Sequence, residues 1–173
     1  MAAVITGSQN GTVGLINAGT AVASTSGTSI DFTGIPAGVK RITVMFNGVS
    51  LSSTAALLIQ LGVSGTPITT GYTAGQIYVL TSGASAGGAT STSGFVIQSG
   101  AAAYTLNGAI VFNLLNSSSN LWVGSGVLYN QTTAPYVCSI AGSVALSGAL
   151  NMVRITSTST DTFDAGSINI LYE

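Results

Sequence analysis

The residues that could do chemistry in this chain are few. Gly83-Ala84-Ser85-Ala86-Gly87 fits the G-x-S-x-G pattern of a nucleophile elbow. That motif works at a strand-to-helix turn with a base within reach of the serine. The chain has no histidine, so the commonest general base, the commonest zinc ligand and the usual near-neutral switch are all missing. A Gly/Ser/Thr stretch follows Ser85 where a helix would be needed, and in a chain this rich in glycine and serine a chance match is expected. No catalytic residue is assigned.

Carboxylates are the next candidates, because a pair of them can hydrolyse a glycosidic bond without histidine. The four are Asp31, Asp161, Asp164 and Glu173. Asp161 and Asp164 share a Thr/Ser-rich loop. They suit a turn bonded to its own backbone, with a weak Ca²⁺ site or a glycosidase pair as sharper alternatives. No metal or cofactor is expected. Cys138 is the single cysteine, which rules out an intrachain disulfide and any CxxC site. Lying in the alternating run Tyr136 to Leu146, it reads as a small buried hydrophobe. Trp122, Tyr129 and Tyr136 are the aromatics that could stack on a sugar and are the candidate glycan contacts, although strand aromatics more often belong to the core.

Composition bounds the partners. Only 4% of the 173 residues are charged while 46% are hydrophobic, and the net charge is −1. With no basic patch to neutralise phosphates, nucleic-acid binding is not expected. No apolar run approaches the length of a spanning helix, and the aromatic girdles of a membrane barrel are not visible, so membrane insertion is not expected. The opening MAAVITGSQNG lacks a basic region and an apolar core, so it does not read as a secretory leader. Folding in the producer's cytoplasm is expected. Asn10-Gly11-Thr12, Asn116-Ser117-Ser118 and Asn130-Gln131-Thr132 then mean polar turns rather than glycosylation sites. A neutral hydroxyl-rich surface offers little charge repulsion against association, so the composition suggests a subunit of a fixed assembly.

The elements that must position these residues are strands. Ile30 to Ser50 sets the grammar. Ile30 and Phe32 alternate with Asp31 and Thr33. Gly34 and Gly38 bracket Pro36, which cannot continue a central strand. Ile42, Val44 and Phe46 then alternate with Arg41, Thr43 and Met45, and Asn47-Gly48 predicts a tight turn. If Gly34 to Gly38 were a hairpin loop, Asp31 would fall opposite Arg41, and an Asp31–Arg41 ion pair is expected on that register.

Further strands are predicted weakly at 2–6, 13–16 and 20–24, then at 57–61, 77–80, 95–98, 109–115, 121–129, 136–146, 150–156 and 168–172. Residues 82–93 read as a long exposed loop. In 121–129 the pair Gly124 and Gly126 lies on the Trp122 face, predicting a bulge or a ring packed over bare backbone. No segment keeps a helical period. Short strands at this spacing, separated by Gly, Asn, Ser and Pro turns, predict an all-β protein, a jelly-roll-like antiparallel β-sandwich. Residues 1–27 read as an extended N-terminal arm or attachment strands, and 28–173 as the sandwich domain.

The string FTGIPAGVKRITVMFNGVS (Phe32 to Ser50) resembles a family of tailed-bacteriophage virion proteins of unassigned or tail-fibre type. LLIQLG (Leu57 to Gly62), TTGY (Thr69 to Tyr72) and GSINILYE (Gly166 to Glu173) extend the likeness from about Ile30 to the end. The resemblance implies a β-sandwich on a phage particle, a homotrimer, and no catalytic residues. The expected function is a non-enzymatic virion structural protein: a head decoration or cement protein, or the knob of a tail fibre or appendage. Its partners would be copies of itself and other virion proteins, and its location the virion. The alternatives are a carbohydrate-binding module that recognises a host-surface glycan, or a carboxylate-based depolymerase.

Overall fold

The computed structural model describes residues 16–98, 100–102 and 104–173. The strands expected at 2–6 and in most of 13–16 lie outside them, as does the Asn10 turn. The described chain is all β, with antiparallel sheets in a sandwich-like arrangement. One sheet has nine strands. Along its main path the order is β1 (Asn17–Ala18), β14 (Phe163–Tyr172), β4 (Arg41–Leu51), β10 (Thr105–Asn116), β11 (Leu121–Gln131), β12 (Tyr136–Ala145), β7 (Thr73–Leu80) and β8 (Ala86–Ser91). The short β2 (Val22–Ala23) also pairs with β14. The other sheet runs β3 (Ser29–Thr33), β13 (Leu150–Ser157), β5 (Leu57–Val63) and β6 (Thr66–Pro67), with β9 (Phe95–Ile97) also on β5.

Period-two alternation decides which face of each strand is buried. Ile42, Val44 and Phe46 of β4 are buried, as are Ile110 and Phe112 of β10 and Trp122 and Leu128 of β11. Ile30 and Phe32 of β3, Ile59 and Leu61 of β5 and Val153 and Ile155 of β13 meet them in one continuous core. The ring-over-glycine expectation holds, with different rings. Gly124 is opposite Phe112 in the β10–β11 ladder, and a Cβ on Gly124 would collide with the Phe112 ring and press on Phe95. Phe95 in turn meets Phe112 edge-on at 4.8 Å and Tyr72 at 5.5 Å.

Three local expectations are corrected. Gly34 to Gly38 does not close a hairpin: β3 belongs to the five-stranded sheet and β4 to the nine-stranded one, so this loop crosses between layers. Ile35 plugs into the core, and its amide donates to the Asn151 carbonyl at 3.0 Å. Asn47-Gly48 is not a turn but lies within β4, where the β14 partner slips register between Ala165 and Ser167. The positive φ of Gly48 (64°) serves a bulge here, facing Gly166 (91°); a bulge and a tight turn draw on the same backbone freedom. Finally, residues 82–93 are not one loop. Ala86–Ser91 forms β8, whose glycine, serine and threonine content hides it from a hydrophobic-pattern reading.

Residues 17–23 lie along β14 of their own chain. The Gly19 amide donates to the Ile170 carbonyl at 2.8 Å, and the buried Ser24 hydroxyl donates to the Ala165 carbonyl at 2.7 Å.

Candidate functional site

The Asp31–Arg41 pair does not form. With β3 and β4 in different sheets, Asp31 sits opposite Arg154 in the β3–β13 ladder. Arg154 donates to its two carboxylate oxygens at 2.7 Å from Nε and 2.6 Å from Nη2. Arg41 instead donates to Glu173 at 3.0 Å. The same chain end is stitched to β4 by its backbone: the Lys40 and Arg41 amides donate to the Glu173 carbonyl at 2.7 and 3.0 Å.

Ser85 of the G-x-S-x-G match lies in the turn joining β7 to β8, where its carbonyl accepts from the Leu80 amide at 3.0 Å. Strand β8 follows it, so the strand-to-helix context of a nucleophile elbow is not there. Asp161 accepts from the Ala55 amide at 2.9 Å, and its own amide donates to the Ser159 hydroxyl at 3.1 Å. The carboxylate thus ties this loop to the segment before β5 rather than bonding the backbone of its own turn. Asp164 is exposed at the start of β14. Among the described residues no three acidic, cysteine or histidine groups come together as metal ligands.

The aromatic triad is corrected as well. Trp122 and Tyr136 are core residues, 1% and 4% exposed, while Tyr129 is 41% exposed on the opposite face of the sheet. Trp122 has even numbering in β11 and Tyr129 odd, so a strand must send them to opposite sides. Trp122 and Tyr136 are therefore not glycan contacts. Tyr136 accepts from the Asn130 side-chain amide at 2.6 Å and donates to the Gln98 carbonyl at 3.1 Å. Burial, the neighbouring Cys138 and its hydrogen-bond setting act on its phenol, with burial the largest cause and an upward net shift. Cys138 is buried as expected, its thiol donating to the Gln76 side-chain oxygen at 3.1 Å, and burial pushes its pKa up.

What residue-by-residue searching for chemistry misses is a surface. Ile77, Val79, Val127, Tyr129 and Val137 are each 39% exposed or more. The register brings them together: Val127 is opposite Ser139, which is opposite Ile77, and one row along Tyr129 is opposite Val137, which is opposite Val79. Directly opposed side chains in adjacent strands are about 5 Å apart, so these five form one patch on the outer face of the nine-stranded sheet. The half-buried Met45 and Ala109 continue the Val127 row across β4 and β10. A wide, shallow groove of about 870 Å³ adjoins the patch at β7, β8 and β12, bordered by Ile77, Gly75, Gly88, Ser139 and Ala141.

The patch has no ionisable neighbour of the strong kind. No Asp, Glu, Lys, Arg or His occurs anywhere from Ile42 to Val153, a span that includes all of β7, β8, β10, β11 and β12. Formal charge on the strands of this sheet and directly after β14 lies at Arg41 and Glu173, which pair, and at the exposed Asp164 at the start of β14, all outside β7, β8, β10, β11 and β12. The available signal was in the sequence: Leu121, Val123, Val127 and Tyr129 make one side of β11 apolar while Trp122 and Leu128 make the other side apolar too. A sheet with one solvated face should alternate apolar with polar.

No protein-family model matches the chain, and neither a curated protein nor a solved structure matches it.

Proposed function

We propose that this chain is a non-enzymatic structural subunit of a tailed-phage virion. In this reading it is a trimeric surface component, either a head decoration or cement protein or the knob of a tail fibre or appendage. The observation that carries the reading is the uncharged span from Ile42 to Val153, folded into a continuous antiparallel sandwich. A surface made of hydroxyls, amides and aliphatic groups hydrogen-bonds to water but supplies little repulsion between copies. It is also indifferent to salt, because it carries little Coulomb energy to screen. Dense β pairing with few ionisable groups suits a particle whose persistence is governed by slow unfolding. The likeness of Phe32 to Ser50 to phage virion proteins supplies the setting.

The deciding measurement is solution mass at micromolar concentration by analytical ultracentrifugation. A trimer is expected, and a well-behaved monomer would sink the reading. Immunogold labelling of intact particles then distinguishes head from tail, and particles that carry no label at either place would remove the virion setting.

A further inference from the structure

We infer that copies of this chain associate through the outer face of the nine-stranded sheet, centred on Val127, Tyr129, Val137, Ile77 and Val79. The inference rests on the trimeric subunit proposed above and adds the surface that does the assembling: three such faces meet around the axis, each copy presenting Val127 and Tyr129 to the β7–β8 side of the next.

Three observations point to a second copy as the occupant. The first is area. Strands β4, β10, β11, β12, β7 and β8 lie side by side, and the six pairs of the β7–β8 ladder set the number of residue rows that run across them. At about 4.8 Å between strands and about 3.4 Å per residue, this face measures on the order of 600 Å². Specific interfaces take roughly 600–1,000 Å² from each partner, so the face reaches the lower end of that range.

The second is charge. A partner selected by electrostatics would meet charged groups, and here they are kept to Arg41, Glu173 and Asp164, on β4 and on or just after β14. Between two copies of a face without formal charge there is no like-charge repulsion, and nothing polar and ionised has to be desolvated. Solvated surfaces ordinarily mix charged residues of both signs, which keeps molecules apart. This one carries none from Ile42 to Val153.

The third is shape. Gly75, Gly88, Ser139 and Ala141 keep the surface beside Ile77 low, leaving the shallow groove described above. The apolar side chains of an apposed copy, Val127 and Tyr129 among them, stand proud of their sheet and can seat in such a depression. Apolar side chains at the centre of an interface, surrounded by a neutral rim, are the arrangement in which burial contributes most.

The test is the double variant Val127→Lys/Val137→Lys, with Thr33→Lys as control; Thr33 is exposed on β3 of the other sheet. Sedimentation of wild type and variants across nanomolar to hundred-micromolar concentration reads the association, and circular dichroism reads the fold. Wild type is expected to associate, the control to match it, and the double variant to stay folded and weaken association by about 100-fold or more. A folded double variant that associates as wild type does would overturn the inference and leave the subunit reading standing. A monomeric wild type would overturn both. Should the lysines prevent folding, a Val137→Cys variant gives the answer, since the native thiol is buried. Its maleimide labelling is expected to be slow at associating concentrations and fast on dilution, and equal rates would overturn the inference.

Discussion

Asp31 and Arg154 face each other across the β3–β13 ladder as a bidentate pair, with both carboxylate oxygens engaged at 2.6 and 2.7 Å. Their side chains keep about a third of their surface in water (33% and 32%), so the solvent screens much of the attraction. Planar two-point geometry lifts the pair above a casual surface contact, yet exposed pairs contribute only about 0.2–1 kcal/mol. Asp31→Asn is expected to lower stability in urea by about 0.5–1 kcal/mol, with the loss shrinking in molar salt. A loss that ignores salt would show that the two groups are held by something other than Coulomb attraction.

The Tyr72 hydroxyl binds both backbone groups of Leu61, accepting from its amide at 2.8 Å and donating to its carbonyl at 3.4 Å. Burial pushes its pKa up from 10.0 to about 12, against the smaller lowering effect of the Leu61 hydrogen bond. Below pH 10 the phenol is protonated in both folded and unfolded chains, so the folded state keeps its full advantage. Between pH 10 and 12 the unfolded chain alone gains from ionisation, and stability falls by about 2 kcal/mol across that window. Denaturant titrations from pH 9 to 12 on wild type and Tyr72→Phe check this. The variant should lose less stability over the window.

Gly124 leaves no room for a methyl group, because the Phe112 ring covers it. Gly124→Ala is expected to destabilise the fold by about 1–3 kcal/mol, the usual range for overpacking a filled core. Gly124→Ala combined with Phe112→Leu should recover part of that loss, since the smaller side chain vacates the space. Chemical unfolding of the two variants reads the difference, and an additive penalty would mean that the ring is not the obstacle.

The Gly48–Gly166 contact makes a sharper test of backbone demand. Gly166 has φ of +91°, and a Cβ there would strike the backbone of Gly48. Gly166→Ala therefore combines a strained conformation with a collision against atoms that cannot rotate away. It is expected to cost more than Gly65→Ala, where φ is +74° but the space is open. Thermal melts of both variants rank them, and the reverse ranking would deny the bulge its structural role.

Cys138 should be inert. Burial raises its pKa above 9.0, so the thiolate fraction at neutral pH is even smaller than for a free cysteine. Labelling by a thiol-disulfide reagent at pH 8 is expected only as fast as the protein opens, and a denaturant-independent rapid reaction would show the thiol to be accessible.

The strand pattern was legible because alternation is written residue by residue: Ile42, Val44 and Phe46, or Ile110 and Phe112, declare their buried face without help from the rest of the chain. What sequence could not disclose was which strand lies beside which. The Asp31–Arg41 expectation assumed that neighbours in sequence are neighbours in a ladder, and the crossing at Pro36 sends them to separate layers. β8 was invisible for another reason: Ala86 to Ser91 has almost no apolar side chain to pattern, and its place is dictated by hydrogen bonding to β7. The aromatics failed as a group because type was weighed before parity. Once Trp122 and Tyr129 are counted along β11, they cannot share a side. The exposed patch was spelled out in Val127, Tyr129 and Val137, but only the register of three strands assembles it.

The span without formal charge also decides where the chain can be cut. Proteases of the trypsin type need lysine or arginine before the scissile bond, and the only such residues are Lys40, Arg41 and Arg154. Two of them sit side by side where the crossover enters β4, and the third lies within β13, opposite Asp31 on one side and Gln60 on the other. Everything from Ile42 to Arg154 is a single digestion fragment, and its one basic end is locked in a ladder. Such an enzyme meets a molecule that offers it almost no foothold.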